Sequence, residues 1–293
     1  MRDPVEDWNR SVFGLISPDA LRRHLAPQIL ARLREAGVTP TGWRSVRIGG
    51  AQIDAVADIQ KAGAGQTFRY RPLDALFAIG PALALRLQDQ QERPPEQLYG
   101  DLQRLKGRTT PGASEAGTIR HDLGLINAVL SLVHLSDSPS NSAQESRVIL
   151  GPVAEDPDRA WAPADGLAGY LDALTAGLQP ERRRFGDVLT AVRGRIAAAL
   201  WTELTEAGRR TVADLVQRGA LAEPAAGTRI AAELSPAASA HPLADVLRLP
   251  FTPGGPPVDM ADVQGLLRLH GCALDTWEFV VLATSIYFEP VRP

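Results

Sequence analysis

The sequence predicts an α+β fold in its first half and a mostly α-helical second half. Three observations carry this expectation. Strand-length and helix-length apolar patterns alternate up to about residue 150, nearly every pattern beyond is helical, and a proline- and acid-rich stretch near Gly151 lies between them. With 293 residues, 44% of them hydrophobic, the chain has apolar material for two cores of ordinary size. The expected domains are 1–150 and 151–293.

Each element has its own signal. SVFGLIS (11–17) is an apolar run of strand length, and APQILARLREAG (26–37) spaces its apolar residues helically and stops on glycine. GWRSVRIGG reads as a strand, AQIDAVADIQKAG as a helix, RPLDALFAIG as a short helix and PALALRLQ (81–88) as a strand. PPEQLYGDLQRLKG is a helix opened by proline and closed by Gly107. The glycine-, threonine- and proline-rich segment 107–124 is long for a plain connection, so it reads as functional or poorly ordered. AVLSLVHL (128–135) is the next strand, and SNSAQESRVIL a helix with a serine cap. This order suits a sheet covered on one side by helices.

In the second half, GLAGYLDALTAGL, the long PERRRFGDVLTAVRGRIAAALWTELTEAG and RRTVADLVQRG read as helices, followed by a connection over 223–242. VDMADVQGLLRLHG and LDTWEFVVLATSIYF form a helical hairpin whose second helix has an Asp-x-x-Glu cap. No motif in this half carries chemistry, and it reads as an accessory domain for packing or oligomerisation.

Charge and composition narrow the function. A net charge of -3 gives no reason to expect a nucleic-acid partner. No apolar stretch reaches the roughly 18 residues of a membrane span, and the charged MRDPVEDWNR start lacks a signal-peptide core, so the expected compartment is the cytoplasm. A single cysteine, Cys272, in an apolar helical pattern reads as a small buried hydrophobe. Lysine occurs only at Lys61 and Lys106, so arginine is the usual cation of this chain.

The chemistry gathers around His134, at the end of an apolar strand. Ser136, Asp137 and Ser138 form a turn rich in hydrogen-bond partners, and Glu145 follows on a helix from which its carboxylate can return to orient the ring. A carboxylate on one imidazole nitrogen leaves the other as a nucleophile. Upstream, Arg108, Thr109, Thr110 and Arg120 sit in a glycine-punctuated loop, with donors suited to phosphate oxygens.

These residues carry a resemblance. LISPDAL resembles the first strand and Lys-Pro-Asp-Gly turn of the nucleoside diphosphate kinase family, GRTTPGASEAGTIRHDLG its Gly-x-Thr-Asn-Pro loop and Gly-Thr-Ile-Arg-Gly-Asp, and SLVHLSDSPSNSAQES its Asn-x-x-His-Gly-Ser-Asp-Ser and following acidic helix. The resemblance spans about residues 10–150. It implies a ferredoxin-like antiparallel sheet with flanking helices, a nucleotide bound with its base near the surface, and a histidine that relays the γ-phosphoryl group of a nucleoside triphosphate to a diphosphate. Mg²⁺ would arrive with the nucleotide, and no metal site of the chain's own is implied. The family's habit implies a homo-oligomer, unless the second half blocks those contacts.

Carried over by position, the resemblance makes His134 the phosphohistidine, Ser136 its neighbouring serine, Glu145 its orienting carboxylate, and Thr109 and Arg120 the phosphate contacts. Several positions depart from the pattern. The phosphate-binding lysine is Ser17, the asparagine before the histidine is Ser131, and the second phosphate arginine is Gln103, beside Arg104. Leu135 and His121 stand where the family has glycine, and His121 adds an imidazole near the phosphate loop. Lys106, Arg108, Arg22 and Arg23 are candidates to replace the missing charge, and Phe68 and Tyr70 to stack on the base. The expected function is a divergent phosphotransferase of this type acting on a nucleotide or phosphorylated small molecule. The alternatives are a specialised-pathway enzyme that reuses the pocket, or a kinase-deficient nucleotide-binding regulatory or scaffold module.

Overall fold

A computed structural model of the chain describes residues 6–61, 71–110, 112–155 and 157–291. The chain divides into two compact units, Met1–Arg182 and Arg183–Pro293. The first is built on a five-stranded antiparallel sheet of order β4-β1-β3-β2-β5, comprising β1 Ser11–Ile16, β2 Val38–Val46, β3 Ala82–Asp89, β4 Val133–Leu135 and β5 Ala162–Pro163. Its helices are α1 Pro18–Arg22, α2 Ala26–Glu35, α3 Gly50–Lys61, α4 Leu73–Ala78, α5 Pro95–Lys106, α6 Ile119–Asp122, α7 Pro139–Leu150, α8 Pro157–Ala160 and α9 Leu167–Thr175.

Every residue of β1 is buried, and the two-residue period of a strand divides them between two cores. Val12 and Ile16 join Leu83, Leu85 and Leu87 of β3 against α2, α5 and α9. Phe13 and Leu15 join Ala82 and Ala84 against Ile53 of α3 and Ala143 and Ile149 of α7. The sheet is therefore covered on both faces, where the sequence pattern had suggested one. Glycine is required at Gly107, which ends α5 with φ +81°, because a Cβ there would come within 2.5 Å of the Thr118 hydroxyl.

Several expected boundaries move, each for a local reason. β4 begins at Val133 instead of near 128, because the Asn127 side chain accepts the amides of Val129 and Leu130, both at 3.0 Å, and coils the apolar run. The first unit passes the expected boundary at 150 and runs to 182, since β5 pairs with β2 and Leu167 and Leu171 of α9 complete the core.

The second unit is helical: α10 Phe185–Ala199, α11 Glu206–Gln217, α12 Ala226–Ala232, α13 Pro242–Arg248, α14 Met260–Leu269 and α15 Thr276–Ser285. The long helix expected here ends at Ala199, and α11 begins only after Thr205, whose hydroxyl accepts the Gly208 amide and caps it. The expected connection over 223–242 contains α12. It is drawn in by the buried Arg193, which donates to the carbonyls of Leu221, Glu223 and Leu249. Gly227 lets α12 meet α13, since a Cβ there would lie 1.8 Å from the Leu247 carbonyl oxygen. The Asp275 and Glu278 capping box opens α15 as expected, and Cys272 is buried. Among the described residues, no helix is long and apolar enough to cross a membrane.

Candidate active site

The site lies on the face of the sheet that carries Phe13 and Leu15. His134 pairs with Leu15 across β4 and β1, so it points to that face while Val133 and Leu135 enter the opposite core. Glu145 comes from α7, which opens at Ser138, whose hydroxyl accepts the Asn141 amide. Ser142, one turn earlier on the same face of α7 as Glu145, accepts the Phe13 amide at 3.1 Å and shares a 2.8 Å bond with the Tyr99 hydroxyl. Those contacts pin α7 to β1 and α5.

The Glu145 carboxylate, 1% exposed, reaches His134 Nε2 at 2.7 Å and accepts the Ser136 hydroxyl at 2.5 Å. By holding the Nε2 proton, it assigns the ring's lone pair to Nδ1. His134 lines a cavity of about 290 Å³ together with Ser17, Thr109, Arg120, Ser131 and Glu145. The cavity's other wall is apolar and comes mainly from α3 and α4, with Ile48 and Ile149.

Arg120 sits on α6 at the polar end. Its Nε donates to the Ser131 carbonyl at 3.2 Å, Nη1 to Gly107 at 2.8 Å and Nη2 to Val133 at 2.8 Å. It thus ties the loop after α5 to the segment entering β4, and the guanidinium fork still has donors to spare. Burial pushes it down to about 10, so it stays charged at neutral pH. Outside the cavity, Arg32 ion-pairs with Asp122 at 2.8 Å and donates to the Gly117 carbonyl, while Arg23 donates to the carbonyls of Leu123 and Gly124. These bonds fix both ends of α6.

Ser17 does not simply leave a gap. Its hydroxyl donates to Asp19 at 2.6 Å, and its amide donates to the Leu132 carbonyl at 3.1 Å. The fully buried Asp19 also accepts the Leu132 amide at 3.2 Å. Leu132 has φ +74°, a left-handed conformation that a leucine adopts only when its surroundings impose it. Ser17 and Asp19 therefore clamp a strained residue two places before His134. Burial raises the Asp19 carboxyl, partly offset by the Ser17 bond and the Arg23 charge.

The other expected contacts are placed differently. Lys106 is buried and donates to the Leu135 carbonyl at 3.2 Å, with Asp137 at 3.6 Å. It supports the turn after His134 and is not among the cavity's lining residues. Burial, helped by the Arg120 charge, pushes its ammonium down to about 8. The Gln103 amide donates to Leu135 and Ser136, stitching the same turn, while Arg104 is exposed and pairs with Asp101. Arg108 and His121 are exposed, and His121 bonds Asp122 at 3.0 Å. Neither these residues nor Arg22 and Arg23 are among the lining residues. Phe68 and Tyr70 lie outside the described residues. Sequence reasoning missed the clamp at Asp19, for which the Ser-Pro-Asp turn was a signal, and the apolar wall, for which it had none.

Comparison with known proteins gives the family. The nucleoside diphosphate kinase family model matches residues 10–154. A nucleoside diphosphate kinase of Geobacter sp. (strain M21) is 32% identical over 133 residues, which are 45% of this chain and 89% of that protein. This chain belongs to the nucleoside diphosphate kinase family. Its family portion is the first unit up to residue 154, and at the family level its function is nucleoside diphosphate kinase-like. The Psychromonas ingrahamii kinase is 35% identical over 132 residues, 45% of this chain and 84% of its own length. The crystal structure of the Encephalitozoon cuniculi kinase, 23% identical, aligns with a TM-score of 0.42 over 50% of this chain and 91% of its own.

Proposed function

We propose that this chain is a nucleoside diphosphate kinase-like phosphotransferase that carries the γ-phosphoryl group of a nucleoside triphosphate on Nδ1 of His134. The supporting observation is the 2.7 Å bond between His134 Nε2 and a buried carboxylate, which leaves Nδ1 as the nucleophile in a cavity that also holds Arg120 and Thr109. The Nδ1 lone pair attacks the γ-phosphorus, the bond to the leaving diphosphate oxygen breaks, and the Nε2 proton stays in place against Glu145. Arg120 and the Thr109 hydroxyl meet the transferring oxygens. Mg²⁺, if bound, would be held by the nucleotide's phosphates and would supply further positive charge. The second half-reaction reverses these bonds on a new acceptor.

With Ser17 where the family has lysine, transfer is expected to be slower than in an enzyme that has that cation, by about 10² to 10³ for one lost donor. The test is incubation with γ-labelled ATP and Mg²⁺, then alkaline gel separation and a chase with a nucleoside diphosphate. Label on the wild type, absent from His134→Ala and chased into triphosphate, is the expected result. Binding of ATP with no label on the protein would overturn the reading.

A further inference from the structure

β2 is the longest strand of the sheet, with nine residues, and its outer neighbour β5 has only two. A strand edge left open offers a row of backbone donors and acceptors to any other chain. Pro40 and the bulge between Pro40 and Gly42 interrupt the first part of that edge, so 42–46 is the stretch able to act as a template. That stretch is the part this chain covers, Gly42 and Trp43 pairing with Pro163 and Ala162. β5 is a poor template in its turn, because it is short and Pro163 has no amide hydrogen.

The covering segment crosses the edge from one face of the sheet to the other. Ala160 and Trp161 pack in the core on the Phe13 face, and Leu167, Leu171 and Leu174 in the core on the opposite face. Consecutive residues of β2 hold it between those points. Gly42 admits the Trp161 side chain, since a Cβ at Gly42 would lie 2.7 Å from the Cβ of Trp161. The Trp43 indole donates to the Pro163 carbonyl at 2.8 Å and packs on Tyr170, with ring centres 4.6 Å apart. Arg44 donates to the carbonyls of Arg159 at 2.6 Å and Ala160 at 3.3 Å, and Ser45 accepts the Tyr170 hydroxyl at 2.7 Å. The segment begins just beyond residues 10–154, which carry the family match.

We propose that residues 157–175 are an intramolecular strap that keeps the β2 edge from pairing with β2 of a second copy of this chain. A second copy is the partner that fits, because two identical edges meet antiparallel about a two-fold axis, each finding the donors and acceptors that it also presents. With the strap in place, the outer strands of the sheet are β5 with two residues and β4 with three. The inference is independent of the phosphotransfer reading.

The test sediments the full chain and its variant Arg44→Ala, Trp161→Gly, Tyr170→Ala in an analytical ultracentrifuge, with deuterium uptake over residues 42–46 followed across a dilution series. In the wild type, uptake is expected to be slow and the same at every concentration. The variant should reach twice the chain mass, and its uptake over 42–46 should rise about tenfold or more on dilution, as the copies part. Raised uptake with no gain in mass overturns the proposal, as does a gain in mass that leaves 42–46 unprotected. Uptake as slow as in the wild type at every dilution overturns it too, because these anchors would then not be what covers the edge. So does wild-type uptake that rises on dilution, since β2 would already be held by another copy. Arg44→Ala with Tyr170→Phe keeps the strap's apolar contacts and serves if the triple variant does not fold. The same dilution dependence, smaller in extent, is expected there, and its absence decides against the strap.

Discussion

At the scale of single residues, Glu145 holds His134 by Nε2, and Ser17 and Asp19 hold the left-handed Leu132 two places before it. Glu145→Gln replaces the carboxylate with an amide, and label acquisition by His134 is expected to slow by about 10²-fold while the fold is retained; circular dichroism beside the labelling assay checks both. Asp19→Ala leaves the Leu132 amide and Ser17 hydroxyl unpaired beneath a left-handed leucine. A stability loss of about 2 to 3 kcal/mol, read by urea unfolding, is expected. Lys106 supplies a pH signature. Its folded ammonium loses its proton near 8, whereas the unfolded chain keeps it until near the ordinary lysine value of 10.5. Between those values the unfolded state binds more protons, so the destabilisation from burying this charge is complete below about 8 and fades as pH rises. Lys106→Met should remove that rise from the pH profile of urea midpoints. The histidine, its glutamate and its serine were legible from spacing on a strand and a helix. Asp19 was not, because its partner Leu132 is 113 residues away in sequence.

At the scale of elements, close approaches decide the geometry. Ser138→Ala removes the cap of α7, which carries Glu145, and should lower stability by about 1 kcal/mol in denaturant titration. Helices with apolar periodicity and recognisable ends were readable in advance, as α2, α5 and α15 illustrate. β4 was not, because AVLSLVHL has a strand's composition while Asn127 and Asp19 capture its backbone amides first. α12 was hidden in a proline- and alanine-rich stretch that looks like a connection until the carbonyls gathered by Arg193 are seen.

At the scale of the whole molecule, the chain is two units, each with its own buried core, and the boundary at 182 has a consequence. A fragment of residues 1–182 should fold and unfold cooperatively on calorimetry, while one ending at 150 should aggregate, because it exposes the core face covered by Leu167 and Leu171 and leaves β2 without β5. By itself the sequence determined the fold class, the family and the His134, Ser136 and Glu145 cluster, because local periodicity and short motifs lie within a few turns of one another. Only the tertiary structure decided that Ser17 is half of a clamp, that Lys106 supports a turn and that an apolar wall faces the histidine. Those facts depend on which residues distant in sequence share a buried space, and no spacing along the chain encodes that.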